Sequence, residues 1–320
     1  MTRWISSAGV GALFAVAFGA AASAAPAELS IMAPAGPGGG WDQTARSMQA
    51  ALQEAAIVSN VQVTNVPGAG GTIGLAQFVN TAKGDPTQLI VGGYVMVGAI
   101  IANNSPVSLA DVTPIARLTG EYEAIVVPAS SPIQSIADLV DALKKDPGAV
   151  SWAGGSAGGV DHIAVGLIAK AAGVDPTKIN YVPFSGGGEA LAAILGAQVT
   201  AGISGYGEFA GQIASGELRL LAISAPERVA GIDAPTLKES GLDVDVQNWR
   251  MVAAGPDLSD EQKADLVATV KAMAESEQWK ATLASKGWLD TFLAGDDFAS
   301  YIGEQVEGTA QVLKDIGVVK

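Results

Sequence analysis

Four short glycine-rich turns, each following an apolar run and leading into a helix-like segment, constrain this chain more than any other feature. They read Pro37-Gly38-Gly39-Gly40-Trp41-Asp42, Pro67-Gly68-Ala69-Gly70-Gly71-Thr72, Gly154-Gly155-Ser156-Ala157-Gly158-Gly159-Val160-Asp161 and Phe184-Ser185-Gly186-Gly187-Gly188-Glu189. Strand–turn–helix units repeated in this way build a parallel sheet wrapped by helices. A helix that starts at glycine leaves its first backbone N–H groups unpaired, and the helix dipole adds partial positive charge there. Each turn can therefore hold an anion, and several facing one cleft would hold a carboxylate or phosphate without any lysine.

The rest of the chain fits that plan. Residues 28–33 read as a first strand, and residues 42–55 place Ala45, Met48, Leu52 and Ala55 on one helical face. A strand at 61–66, a helix at 73–82 and a buried strand at 89–94 follow. A strand at 124–127 opens the middle third, with 128–132 as a crossing segment. Ser135-Ile136-Ala137-Asp138 reads as a capping box for a helix that stops near Pro147-Gly148. The alternation then restarts with strands at 150–153 and 179–183, helices at 161–172 and 189–195, and further strands at 200–204 and 218–224. That restart predicts a second lobe. A strand at 246–254 leads to Ser259-Asp260-Glu261-Gln262, which caps a long helix, and 298–313 supplies another. The expected architecture is α/β with two lobes. Residues 25–125 and 252–320 form lobe 1, residues 126–251 form lobe 2, and the crossings lie near 124–130 and 246–254 with a cleft between.

Length and composition agree, since 320 residues exceed one ordinary core and forty glycines with few aromatics let helices pack closely on a sheet. Arg3, the apolar run 10–22 and Ala22-Ser23-Ala24 before Ala25 have the plan of a signal peptide over 1–24, which predicts export. Without cysteine there is neither a disulfide nor a lipoprotein anchor. The formal charge of −14 argues against nucleic acid and anionic membrane surfaces as partners. It leaves a small anion open, because charges beyond a Debye length of about 8 Å are screened.

Several motifs compete for a catalytic reading. Gly154-x-Ser156-x-Gly158 fits a nucleophile elbow, but the single histidine, His162, follows Ser156 on the helix that the elbow would launch. A catalytic base must instead approach from a separate loop. Gly68-x-Gly70-x-x-x-Gly74 resembles a dinucleotide fingerprint with its third glycine displaced and no acid ending the next strand. No phosphate-binding G-x-x-x-x-G-K-[ST] occurs. Asp42, Asp161 and Glu189 lie on separate turns, where acids serve as caps and dipole partners, so no metal is expected. Asp42 and Arg46, four apart, form an ion pair on the plainer reading. Trp41, Tyr94, Phe184, Tyr206 and Trp249 suit core packing as well as cleft walls.

The stretches Ala33-Pro34-Ala35-Gly36-Pro37-Gly38-Gly39-Gly40-Trp41-Asp42-Gln43-Thr44-Ala45-Arg46 and Asn65-Val66-Pro67-Gly68-Ala69-Gly70-Gly71-Thr72-Ile73-Gly74 resemble the amino-terminal signature of the substrate-binding proteins of tripartite tricarboxylate transporters. Tyr181-Val182-Pro183-Phe184-Ser185-Gly186-Gly187-Gly188-Glu189-Ala190 and Asn248-Trp249-Arg250 continue the likeness in family order. The resemblance implies a type II, Venus-flytrap periplasmic binding protein. It would close on a small organic carboxylate and deliver it to the large and small membrane subunits of a transporter, acting as a monomer without enzyme activity or cofactor. Gly40-Trp41-Asp42 and Asn248-Trp249-Arg250 look closest to citrate-binding members, which points to a tricarboxylate or a related dicarboxylate. The candidate ligand-binding set, from the turns and the resemblance together, is Gly38, Gly39, Gly40, Trp41, Asp42, Gly71, Thr72, Tyr94, Ser156, Gly158, Gly159, Asp161, His162, Ser185, Gly186, Gly187, Tyr206 and Arg250. Within it Ser156 and Ser185 would add hydroxyls, and Arg250 would meet a second carboxylate or join an ion pair between lobes. An exported serine hydrolase using Ser156 and a periplasmic sensor subunit are the alternatives.

Overall fold

A computed structural model of the chain describes residues 26–185 and 187–320. The signal-peptide reading of 1–24 and the candidate Gly186 lie outside the described residues. The first part of the chain is β1 (Glu28–Ala33), α1 (Gly40–Glu54), β2 (Asn60–Asn65), α2 (Thr72–Thr81), β3 (Gln88–Gly93) and α3 (Tyr94–Ala102). A long strand β4 (Thr113–Pro128) leads to α4 (Ile136–Lys145), β5 (Ser151–Gly154), α5 (Val160–Ala171), β6 (Asn180–Pro183), α6 (Gly187–Leu195), β7 (Ala201–Gly205), α7 (Tyr206–Ala214) and β8 (Leu218–Ile223). The chain ends with β9 (Gln247–Ala254), α8 (Asp260–Glu275), α9 (Glu277–Lys286), β10 (Leu289–Ala294) and α10 (Gly295–Asp315).

Two twisted sheets share β4. In the first, β1 pairs in parallel with β2 and β3, while β9 lies antiparallel between β3 and β4. In the second, β5 pairs in parallel with β6 and β7, and β4 lies antiparallel to both β7 and β8. The β9 ladder on β4 runs from Thr113 to Tyr122, and the β7 ladder begins at Glu123. One strand thus changes sheet between neighbouring residues.

Burial follows the pleat. Ile125 and Val127 of β4 pack into one buried cluster with Leu139 of α4 and Val165 of α5. Ala124 and Val126, on the other face, pack with Ile194 of α6 and Phe209 of α7. The period of two therefore covers the second sheet on both sides. Trp249, Met251 and Trp279 belong to a separate core around the first sheet.

The structure departs from the sequence expectation in identifiable places. Only residues 124–127 of β4 read as strand, because Pro114, Gly120 and the acids Glu121 and Glu123 interrupt its apolar pattern, and the register shifts twice along it. Tyr94, expected at the end of a strand, is the first residue of α3. That helix is almost wholly apolar, so it carries no helical periodicity to separate it from β3. The short α7 and β10 had no separate signal. The predicted boxes at Ser135 and Ser259 are present, with Ser135 Oγ accepting from Asp138 N–H at 3.2 Å and Ser259 Oγ accepting from Gln262 N–H at 3.2 Å.

Candidate functional site

The helices of this protein begin in two different ways. α4, α8 and α9 start at Ser135, Ser259 and Ser276, whose hydroxyls accept backbone N–H bonds. α1, α2, α5 and α7 start at Gly39, Gly71, Gly159 and Gly205, with no side-chain cap. Glycine in place of a serine cap costs only about a few tenths of a kcal/mol, and it leaves helix-start donors without a side-chain partner. The glycine turns meet at one cavity. Gly39, Gly40 and Trp41 line it from α1, Gly68, Gly70 and Gly71 from the second turn, Gly155 and Ser156 from the third, and Ser185 and Gly187 from the fourth.

The lobes meet around this space. A Cβ on Gly70 would lie 3.3 Å from Ser156 Cβ, and one on Gly159 would lie 3.0 Å from Val95 Cγ1 of α3. Gly98 of α3 touches the Gly158 carbonyl so closely that no side chain fits between them. At Gly158 (φ +76°) and Gly71 (φ +86°) the left-handed backbone itself favours glycine.

Of the candidate residues, Asp161 and Arg250 line the cavity with Gly39, Gly40, Trp41, Gly71, Ser156, Ser185 and Gly187. Others lie outside that lining. Asp42 accepts from Gly38 N–H at 2.8 Å, Arg46 Nε at 2.9 Å and Asn65 Nδ2 at 2.9 Å. Burial works against its charge, yet those donors prevail and hold its pKa below the usual carboxylate value. Asp42 therefore fixes the first turn, in the ion pair with Arg46 read from the sequence. Asp161 does the same for the third turn, accepting from Gly155 N–H at 2.6 Å. Thr72 donates back to the Ala69 carbonyl at 2.9 Å. Tyr94 stacks on Trp249 at 6.3 Å, and burial raises its pKa. Gly38, Gly158, Gly159 and Tyr206 stand behind the lining at the turns and the start of α7. His162 stacks on Tyr181 at 4.3 Å, its Nδ1 accepting from Gly158 N–H at 3.1 Å, and burial lowers its pKa to about 4.

Sequence reasoning missed a cluster of buried acids on the cavity floor. Arg250, 2% exposed, pairs through Nη2 with Glu121 and lies 3.8 Å from Glu208 Oε1. Glu123 has no hydrogen-bond donor beside either oxygen. Burial first, then the charges of Asp161 and Glu121, push the Glu123 carboxyl well above its usual value. Burial raises Asp161 to about 6 against the Gly155 and Glu123 bonds, and burial with the Glu121 charge raises Glu208 to about 8. Glu121 and Glu123, two apart on a strand, were the one available sequence signal of acids sharing a face.

These shifts set a pH dependence of stability. An acid with a raised folded pKa contributes stability that is complete below its unfolded value and lost as pH rises through the folded one. For Glu208 that window runs from 4.5 to about 8. His162 works oppositely, its contribution being lost as pH falls from 6.5 towards 4. Above pH 6.5 only the acids act, and Glu208 alone accounts for about 2 kcal/mol up to pH 8. Calorimetric melting is expected a few degrees lower at about pH 8.5 than at about pH 6.5. Equal melting temperatures would remove the acid cluster as a source of strain.

Comparison with known proteins gives this geometry a context. Solved structures of similar shape are two-domain α/β periplasmic binding proteins. One is the periplasmic binding protein BugD, with TM-score 0.82 and 23% identity over 91% of this chain and 98% of that one. Another is MatC from Rhodopseudomonas palustris with bound malate, with TM-score 0.79 and 25% identity over 90% and 99%. Protein BugT of Bordetella pertussis is 27% identical over 99% of this chain and 98% of its own length. Residues 44–318 match the model of the tripartite tricarboxylate transporter family receptor TctC, and the chain belongs to that family.

Proposed function

We propose that this protein is a periplasmic receptor that closes on a small organic carboxylate and hands it to the membrane subunits of a tripartite tricarboxylate transporter. The observation that carries this reading is the convergence of uncapped, glycine-started helices from both lobes on one cavity. Backbone N–H groups at such starts hold a carboxylate through bonds of about 1.5–3 kcal/mol each. Bonds from both lobes favour the closed form, and only that difference drives closure. Residues 1–24 would direct export, and the receptor would act as a monomer. β4 and β9 would be the two crossover strands on which the lobes hinge.

Binding without catalysis is part of the proposal. A hydrolase would need His162 as base for Ser156, but its Nδ1 is taken by Gly158 N–H and its ring by Tyr181. Among acids, a dicarboxylate such as the malate held by MatC suits this cavity better than a tricarboxylate such as citrate. Arg250 is already paired with Glu121, and the floor carries more carboxyl groups than cations. Titration calorimetry against malate, succinate, citrate, tricarballylate and glutamate is expected to give one acid with micromolar or tighter affinity, about −8 kcal/mol. Silence from every organic anion would remove the reading.

A further inference from the structure

Glu208 of α7 lines the cavity between the starts of α1 and α6. Its Oε1 lies 3.0 Å from the position of a Cβ on Gly40, at the start of α1. A Cβ on Gly187, at the start of α6, would run into Oε2. Two helix starts from opposite lobes thus leave room for this one carboxyl group because both are glycine. Oε2 is buried with no hydrogen-bond partner, and so is Nη1 of Arg250, whose side chain is 98% buried. Both residues line the cavity, and 11% of the Glu208 side chain stays exposed.

Every element packed around Glu208 bears on its charge. β9 supplies Arg250 and Asn248, β4 supplies Glu121 and Glu123, α5 supplies Asp161, and β7 supplies the Ser204 hydroxyl. Lys286 lies over Trp288 at 5.2 Å, and the Arg250 guanidinium lies over the same ring at 5.1 Å. Arg250 already pairs with Glu121. A charged Glu208 would then share Arg250, 3.8 Å away, with Glu121, and an arriving carboxylate would add a further negative charge beside it. A neutral carboxyl group offers that carboxylate an O–H donor instead.

We propose that Glu208 meets the ligand as a neutral carboxyl group and donates its proton in a hydrogen bond to a ligand carboxylate, so that capture of the acid is coupled to one proton. The inference rests on the carboxylate-receptor reading and assigns a specificity residue within that site. In the empty protein the Glu208 pKa, raised to about 8 by burial and by Glu121, keeps the proton available at neutral pH. A bound carboxylate raises it further. Binding therefore needs no proton from solvent below about pH 7 and takes one up above about pH 8.5.

The test is titration of the full-length mature protein with malate from about pH 6.5 to about pH 9, where aliphatic carboxylates are ionised throughout. Two buffers of different ionisation heat count the protons. The expected result is proton uptake rising towards one per ligand, with affinity falling by up to about tenfold per pH unit above about pH 8. Glu208→Gln, whose amide donates without titrating, is expected to bind with an affinity that no longer changes with pH. Glu208→Ala is expected to bind more weakly and equally without slope. Flat binding by the parent, or a slope retained in both variants, overturns this inference alone. A parent protein that binds none of the acids named above overturns the receptor reading and this inference with it.

Discussion

Replacing Arg250 with methionine is expected to cost about 3–5 kcal/mol of folding stability near pH 8, the range for breaking a buried ion pair from one side. The side chain is 2% exposed and is the cation among Glu121, Glu123, Asp161 and Glu208 on the cavity floor. Methionine fills much of the volume but leaves Glu121 without its partner. Lowering the pH towards 5 is expected to recover part of the loss, because protonation relieves the carboxyl groups that the guanidinium had balanced. The double variant Glu121→Gln with Arg250→Met is expected to be more stable than Arg250→Met alone, a coupling that denaturant midpoints measure directly. A loss below about 1 kcal/mol would mean that the acids hold each other by shared protons and do not depend on the cation.

Gly98→Val is expected to weaken ligand binding by about 10- to 100-fold while leaving each lobe folded. Gly98 of α3 abuts the carbonyl of Gly158, and Gly159 Cα lies 3.6 Å from the position of the missing Cβ. A valine there must push the third glycine turn away from α3. Because that turn carries Gly155 and Ser156 into the cavity, the closed form becomes a minor population, and affinity falls by the same fraction. Helix propensity works the other way, since valine is no worse than glycine within a helix. Calorimetry with the acid that the parent binds, together with the radius of gyration from X-ray scattering, reads both effects. Unchanged affinity at an unchanged radius would show that the contact between α3 and the glycine turn can yield without cost.

Much of this arrangement was written locally in the sequence. Glycine between an apolar run and a helical run is a backbone signal, and the structure has the four turns where the sequence put them, each between a strand and a helix or short helical turn. Serine caps are equally local, as at Ser135 and Ser259. What the sequence concealed depends on distant parts of the chain. Glu121, Glu123 and Glu208 drew no reading from the sequence, because a charged residue shows nothing of its burial until β4, α7 and β9 are assembled around it. Arg250 was legible as a candidate through its motif and Asp161 through its turn, whereas Glu121, Glu123 and Glu208 were not. Asp42 and His162 stood among the candidates with a plainer role as alternative, and each meets a backbone N–H of its own turn. An acid in the first turn of a helix has the same sequence appearance in either role.

The last turn of α10 carries a consequence for how such a molecule can move. Ile316 sits against Gly166 of α5, Asp315 bonds Lys170 Nζ at 3.1 Å, and Leu313 shares a small buried cluster with Ile163. Along its length α10 also flanks Trp249, through Tyr301 at 5.4 Å and Gln305 at 3.1 Å. The carboxyl terminus therefore bolts one half to the other on the side of α3 and α5, in addition to the covalent strand β4. Swinging apart must either leave that bolt in place and gape on the far flank, or slide Ile316 off its glycine seat. On the receptor reading, admission of solute would depend on a patch of aliphatic packing outside the cavity lining.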